Sequence, residues 1–393
     1  MKSLRSKSWI AIGVAACVVS MGLWACSSDT PTGASGISKP GTDGIQLTVR
    51  NPRVQEVMII QDRATPDLYE NPLVVGTATG INAAGDIVIK VYTEDEILPG
   101  KLPARIEGVE VVQVVSGRVE AFKGKPGGGG GGGGGADPKA AQSAPIKMGT
   151  SGGWQHDLAN GYCCGGTLGS LIQDGNGTQY ILSNYHVLYA DIVSGGNNRV
   201  ASAGDPVIQP ALIDVGCNAS SSLAVGTLLA PNQGASLPNA NIDAGVAQVT
   251  PGMVDASGAL LDIGTISSST VAASIGQDVK KMGRTTGLGR ATVDGLNANI
   301  QIGYENECAG GSSFTKTFTG QIITTNNRCK FLDGGDSGSL MVEDVDTNPR
   351  AVGLLYAGST RCNKQAIAIA NPINDVLSFY SSKLPGTCTM VGN

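Results

Sequence analysis

The spacing of apolar positions divides the chain into two parts. From residue 146 onward, short apolar runs alternate with turns of Gly, Asn, Asp and Pro; 165–172, 179–183, 206–209, 224–229, 278–282 and 366–370 are examples. Runs of this length, bounded by turn residues, read as strands. Many of them with almost no helical period predict a barrel or a sandwich. Only 374–384 reads as a helix, closing the chain. Upstream the pattern differs. Asn51 followed by Pro52 offers a cap residue and a proline at the first helical position. Val54, Val57, Met58, Ala64 and Leu68 then recur at near-helical spacing, and the pattern stops near Glu70-Asn71-Pro72. Strand-like runs at 45–49, 73–79, 86–92 and 109–115 complete a small α+β domain over 45–123, large enough to fold alone. It holds neither histidine nor cysteine, which argues against a catalytic role.

Nine consecutive glycines, Gly127 to Gly135, separate the two parts. A tract without side chains buries nothing and has the highest backbone freedom, so 124–145 reads as a poly-Gly linker. Phosphate cradling would need glycines between a strand and a helix, with the lysine of that motif, and neither is present. Charged residues are 15% of the chain, against about a quarter in ordinary domains. With 57 glycines this suits a secreted β-rich protein. The net charge of −5 is spread out with no basic stripe, which counts against nucleic acid as a partner. Lys2, Arg5 and Lys7 precede an apolar stretch from Trp9 to Leu23, the pattern of a signal peptide over 1–25. It ends Leu23-Trp24-Ala25-Cys26, similar to a bacterial lipobox with Cys26 as the lipidated mature N-terminus; ordinary signal-peptidase cleavage nearby is the alternative. Residues 26–44 read as a flexible tether. The expected location is extracytoplasmic, on the cell envelope through a lipid anchor only, or secreted.

Outside the cytoplasm cysteines pair. Of nine, Cys17 leaves with the signal and Cys26 takes lipid, so Cys163, Cys164, Cys217, Cys308, Cys329, Cys362 and Cys388 are the disulfide candidates. None has zinc-finger spacing, and neither a metal nor a cofactor is expected.

The candidate chemistry lies in Asp333-Gly334-Gly335-Asp336-Ser337-Gly338-Ser339, which runs into the apolar Leu340-Met341-Val342. Glycines on both sides leave the serine uncovered and let the backbone amides converge, as acyl transfer requires. A base is needed, and the chain has two histidines. His186 follows an apolar strand where it meets a polar turn; His156 sits in a loop-like stretch. A third member should be a carboxylate in apolar surroundings, and Asp243 heads the uncharged run Ala244 to Val249. The order is His186, Asp243, Ser337, spaced by 57 and 94 residues (243−186 and 337−243). Each residue has an ordinary structural reading: a strand-end histidine, a turn aspartate, a glycine-rich turn. Their joint occurrence favours the functional one. A lipase-type elbow does not fit, because Ser339 stands where its second glycine belongs.

Ser183-Asn184-Tyr185-His186, Ile242-Asp243-Ala244-Gly245-Val246-Ala247 and Gly335-Asp336-Ser337-Gly338-Ser339, in that order, resemble the chymotrypsin/trypsin-like serine peptidases. Gly283-Arg284-Thr285-Thr286-Gly287 and Gly353 to Gly358 add to the likeness with bacterial secreted members. The resemblance covers 146–393 and implies two six-stranded antiparallel barrels, preceded by the small α+β domain, with the site in the cleft between them. The chain departs from the family in having Ser-Asn-Tyr-His where Ala-Ala-His-Cys is usual, and Gly-Ser after the serine motif where Gly-Gly is commoner. Carried over, His186 is the general base, Asp243 its orienting acid, Ser337 the nucleophile, and the amides of Gly335 and Ser337 the oxyanion hole. Phe331 would lie at the base of the substrate pocket, with Asp333 taking that place if the register shifts, and Tyr356 and Gly358 on its wall. This implies an exported serine endopeptidase acting on peptide or protein, with a preference for apolar residues over Arg or Lys. A catalytically silent binding or adhesion module on the same fold is the alternative. The role of the N-terminal domain as prodomain, inhibitor or spacer stays open. So does the partner of Asp336, since no Ile-Val-Gly-Gly segment is present to supply a new amino terminus. Expected disulfides join Cys217 to Cys163 or Cys164, Cys308 to Cys329, and Cys362 to Cys388.

Overall fold

The structure, a computed structural model, describes residues 46–121, 135–159, 162–189, 201–304 and 313–393. The expected signal peptide, tether, Cys26, Cys308 and most of the glycine tract lie outside the described residues.

Helix α1 spans Pro52–Leu68. Its start is fixed by the Asn51 side chain, which accepts from Arg53 N at 3.0 Å and Val54 N at 3.4 Å, while Pro52 needs no partner for a missing N–H. The buried face is Val54, Val57, Ile60, Ala64 and Leu68. It lies on a sheet of β1 (Val74–Ile81), β2 (Ile87–Thr93) and β3 (Val109–Val115), in which β2 and β3 run parallel. Residues 46–49 of the run expected at 45–49 form no strand; Thr48 makes a single bridge to Ser274. A short strand β4, Val119–Ala121, follows.

The rest is mainly β. Strands β5 (Thr150–Trp154), β6 (Gly166–Leu168), β7 (Ser170–Gln173), β8 (Gln179–Ser183), β9 (Pro206–Gln209), β10 (Leu223–Leu228) and β11 (Gly245–Val249) form one sheet. β6 and β7 are one strand bent at Gly169. Following the pairs β5–β6, β7–β8, β8–β11, β11–β10, β10–β9 and β9–β5 returns to the start, a closed ring of six strands. Strands β12 (Asp278–Gly283), β13 (Gly287–Tyr304), β14 (Phe314–Thr325), β15 (Leu340–Glu343), β16 (Ala351–Ser359) and β17 (Ile367–Pro372) form a second ring, ordered β12-β15-β16-β17-β14-β13 and closed by β12–β13. Every pair in both rings is antiparallel, and each ring closes on itself. The expected two six-stranded barrels are thus present.

Two connections differ from the sequence reading. The N-terminal sheet is continuous with the second barrel, because β1 pairs antiparallel with β13 (Gly76 opposite Ile300). The end of the expected linker is held on the first barrel. The Pro138 carbonyl accepts from Ser151 N at 2.8 Å, and Gln209 Nε2 donates to Ala140 O at 2.8 Å. The closing helix is α3, Ile373–Ser381, and a short α2, Tyr185–Leu188, follows β8.

Cys163 pairs with Cys217, one of the two expected alternatives. Cys164 is also disulfide-bonded. The other two pairings are corrected. Cys329 joins Cys362, not Cys308, and Cys388 is a buried free thiol, not the partner of Cys362. Register explains the first: Asn326 N donates to Ala366 O and Arg328 N to Asn363 O, both at 2.8 Å, which carries Cys329 to the 362 turn. Cys388 is instead drawn into the first barrel's core beside Met390, whose short strand pairs with β7.

Candidate active site

The register of β8 on β11 places Ser183 opposite Gly245. His186 lies three residues beyond one strand end and Asp243 two before the other, so the ladder brings both to the same rim. Asn184 Nδ2 donates to Asp243 O at 2.7 Å. Asn371 on β17 holds the aspartate's own peptide groups, accepting from Asp243 N and donating to Asp243 O, both at 3.0 Å. The second barrel therefore fixes an acid carried by the first.

His186 Nδ1 stands 2.7 Å from Asp243 Oδ2, with the carboxylate fully buried and the imidazole 5% exposed. In a neutral imidazole, a proton placed on Nδ1 toward the carboxylate leaves Nε2 with a free lone pair. That Nε2 is buried and has no hydrogen-bond partner. Tyr304 OH donates to the same Oδ2 at 2.8 Å, and His186 N donates to Oδ1 at 3.4 Å.

Ser337 sits on the loop before β15. Its hydroxyl donates to Tyr356 O at 3.2 Å, and its carbonyl accepts from Thr167 N at 2.9 Å on β6. A methyl placed on Gly166 would stand 2.5 Å from Val187 Cγ2 and 3.0 Å from Ser337 O. The residue after the histidine and the serine's own peptide thus flank one gap that only glycine leaves open.

Peptide planes around the serine are pinned. Gly334 O accepts from Thr285 Oγ1 at 2.6 Å, and Asp336 O accepts from Ser339 N at 3.0 Å and from the Ser339 hydroxyl. In a trans peptide the N–H points opposite to the C=O. Holding those two carbonyls therefore sets the directions of Gly335 N–H and Ser337 N–H. Gly335 has φ +98° and Gly338 φ +94°, backbone that a side chain would strain.

Asp336 anchors the loop from beneath. Its Oδ1 accepts from Thr285 N at 2.8 Å and Thr286 N at 3.1 Å and meets Lys281 Nζ at 3.1 Å; Oδ2 accepts from Thr286 Oγ1 at 2.7 Å and Asp333 N at 3.0 Å. Asp336 and Lys281 are both fully buried. Burial pushes the Lys281 ammonium below its usual range, and Asp336 opposes that. The open question of the partner of Asp336 is answered by an internal lysine, which nothing in the serine motif signals. Arg284 of the same Thr-rich loop reaches across to the first barrel and pairs with Asp214 through Nε at 2.7 Å and Nη2 at 2.5 Å.

The pocket residues are spread. Phe331 is buried inside the second barrel's cluster with Val279, Met341 and Leu355. Leu332 is the apolar side chain against Gly358: a methyl there would lie 2.7 Å from Leu332 Cδ2. Asp333 is exposed and accepts from Gly334 N at 2.7 Å. Tyr356 is fully buried, its ring 5.2 Å from that of Phe318. His156 packs edge-on with Trp154 at 5.6 Å. Sequence reasoning missed Lys281, Leu332 and Tyr304.

Residues 222–376 match a family model described as the Nal1 C-terminal domain, a span that includes Asp243 and Ser337 and stops short of His186. Solved structures similar to this chain include a glutamic acid-specific serine protease described as using a histidine triad in substrate binding. It is 20% identical, covering 62% of this chain and 100% of its own, with a TM-score of 0.41. Protease A of Thermobifida fusca is 20% identical over 63% of this chain and 99% of its own, with a TM-score of 0.39. A Cellulomonas bogoriensis chymotrypsin is 19% identical over 63% and 99%, with a TM-score of 0.38. The two-barrel architecture described above stands on strand register.

Proposed function

We propose that this protein is an exported serine endopeptidase in which Ser337 is acylated, His186 is the general base and Asp243 holds the imidazole. The observation that carries the reading is the His186–Asp243 pair with a buried Nε2 left without a partner; the next residue, Val187, shares the Gly166 gap with Ser337 O. For reaction the Ser337 hydroxyl would leave Tyr356 O and turn toward Nε2. The histidine then takes the proton as Oγ attacks the carbonyl carbon, and the oxyanion meets the amides of Gly335 and Ser337. The same proton passes to the leaving amine, and water resolves the acyl-enzyme by the reverse roles. Disulfides fit an oxidising compartment, and a lipidated Cys26 would hold the chain on the envelope. No helix among the described residues is long and apolar enough to cross a membrane.

The N-terminal unit reaches the site as an inhibitory segment. Strand β4 pairs antiparallel with β16, Glu120 opposite Gly358, two residues beyond the Tyr356 carbonyl that holds the Ser337 hydroxyl. A peptide added to an exposed strand edge is a standard recognition mode, and β4 lies on that edge as a substrate would.

Hydrolysis of a fluorogenic peptide library by wild type, Ser337→Ala, His186→Ala and His156→Ala tests the function. The first two variants should lose about three to six orders of magnitude in kcat, and the third should retain activity. Wild-type turnover by Ser337→Ala would end the reading. The Ser337 hydroxyl resting on Tyr356 O favours a silent binding module as the second reading. Peptide binding without any turnover, even after β4 is displaced, would establish that alternative.

A further inference from the structure

We infer that Tyr304 is a positioning residue for the carboxylate of the triad, sharing Asp243 Oδ2 with the histidine. The inference rests on the peptidase reading for its catalytic meaning, and on geometry alone for its physical content.

Tyr304 ends β13, where inward positions alternate: Ile300, Ile302 and Tyr304 are all buried. Strand period therefore sends a long aromatic inward at the last residue, and its hydroxyl reaches Asp243 Oδ2 at 2.8 Å. The ring cannot swing. It stacks on Phe314 with centroids 4.7 Å apart and planes 3° from parallel, and meets the imidazole of His186 edge-on at 6.1 Å. Oδ2 thus carries two donors, Nδ1–H at 2.7 Å and the phenol, while Oδ1 has the longer 3.4 Å bond from His186 N. The shared oxygen is held from the second barrel independently of the imidazole. The carboxylate therefore stays in place when the ring changes charge.

Besides His186, the titratable groups among the described residues that act on Asp243 or Tyr304 are the phenols Tyr356 from β16, Tyr380 from α3 and Tyr185 from α2. Burial, and then the charge of Asp243, pushes the Tyr304 hydroxyl well above its usual range, so it remains a donor wherever the enzyme works. Each donor on Oδ2 draws electron density from the bond to the other.

Tyr304→Phe keeps the ring and removes the donor. The experiment has two readouts. One is the low-field proton resonance of His186 Nδ1–H, recorded in the full chain with His156→Gln to leave one histidine. The other is the pH profile of kcat/KM. The expected result is a further downfield resonance, an acid limb moved to higher pH because the imidazolium gains the density the phenol no longer draws, and kcat lower by about tenfold with KM unchanged. Phe314→Leu removes the stacked neighbour and keeps the hydroxyl; it should lower the melting temperature without moving the acid limb. An unmoved resonance and acid limb in folded Tyr304→Phe would overturn the inference, as would an equal shift in Phe314→Leu. The resonance reads the hydrogen bond without turnover, so a silent protein with a shifted resonance would refute the peptidase reading and leave the positioning intact.

Discussion

Asp336 ties the serine loop to the barrel beneath it with one carboxylate and five donors, of which the Lys281 ammonium is the charged one. Removing one partner of a buried pair leaves an uncompensated charge at a cost of about 3–5 kcal/mol. Lys281→Met should therefore lower stability by that order in urea unfolding and slow acylation by loosening the loop; unchanged stability would show the ammonium to be dispensable. The three residues of the proposed triad stood out in the sequence because each is rare in its surroundings: two histidines in the chain, and one acid at the head of an uncharged run. Lys281 did not. A Lys280-Lys281 pair inside a strand reads as solvent-facing, yet both are buried, one reaching Val345 O at 2.6 Å and the other Asp336. Tyr304 was hidden in a similar way, since an inward aromatic at a strand end reads as core. Cys388 makes a separate case. It is 3% exposed, and burial raises its thiol above the usual range. Alkylation of the native protein should spare it, and rapid labelling before unfolding would contradict its place in the core.

Among the elements, the short strands were readable from period and turn residues, and the helix at 52–68 from its cap and its proline. Partners across the sheet were not readable. The Cys329–Cys362 bond depends on which turn the end of β14 meets, a fact of register that spacing along the chain does not carry. The bend at Gly169 is a second such fact. A methyl there would collide with the Gly338 carbonyl, joining the β6–β7 corner to the serine loop. Gly169→Ala should cost about 1–3 kcal/mol through overpacking and impair catalysis more than binding. Normal kcat in a folded Gly169→Ala protein would show that the corner does not set the serine's position.

Across the whole molecule, the sequence separated an N-terminal domain from the barrels, and composition justified that at the glycine tract. It could not reveal that β1 would pair with β13, because that depends on β13 running past its partner β12, which it pairs only over 287–292, and leaving residues 295–300 to another strand. Nor could it place β4 on β16. Glu120→Pro removes a backbone donor from β4 and breaks its ladder with β16. KM for an added peptide should then fall several-fold with kcat little changed; an unchanged KM would mean that β4 does not compete for the edge.

Whether Ser337 is an activated nucleophile decides between peptidase and silent module. The direct measurement is intact mass of the full chain after reaction with a fluorophosphonate, followed by peptide mapping. The account predicts a single adduct on Ser337, lost in Ser337→Ala and strongly slowed in His186→Ala. No adduct on wild type or on the Glu120→Pro variant, or an adduct that persists in Ser337→Ala, would contradict it.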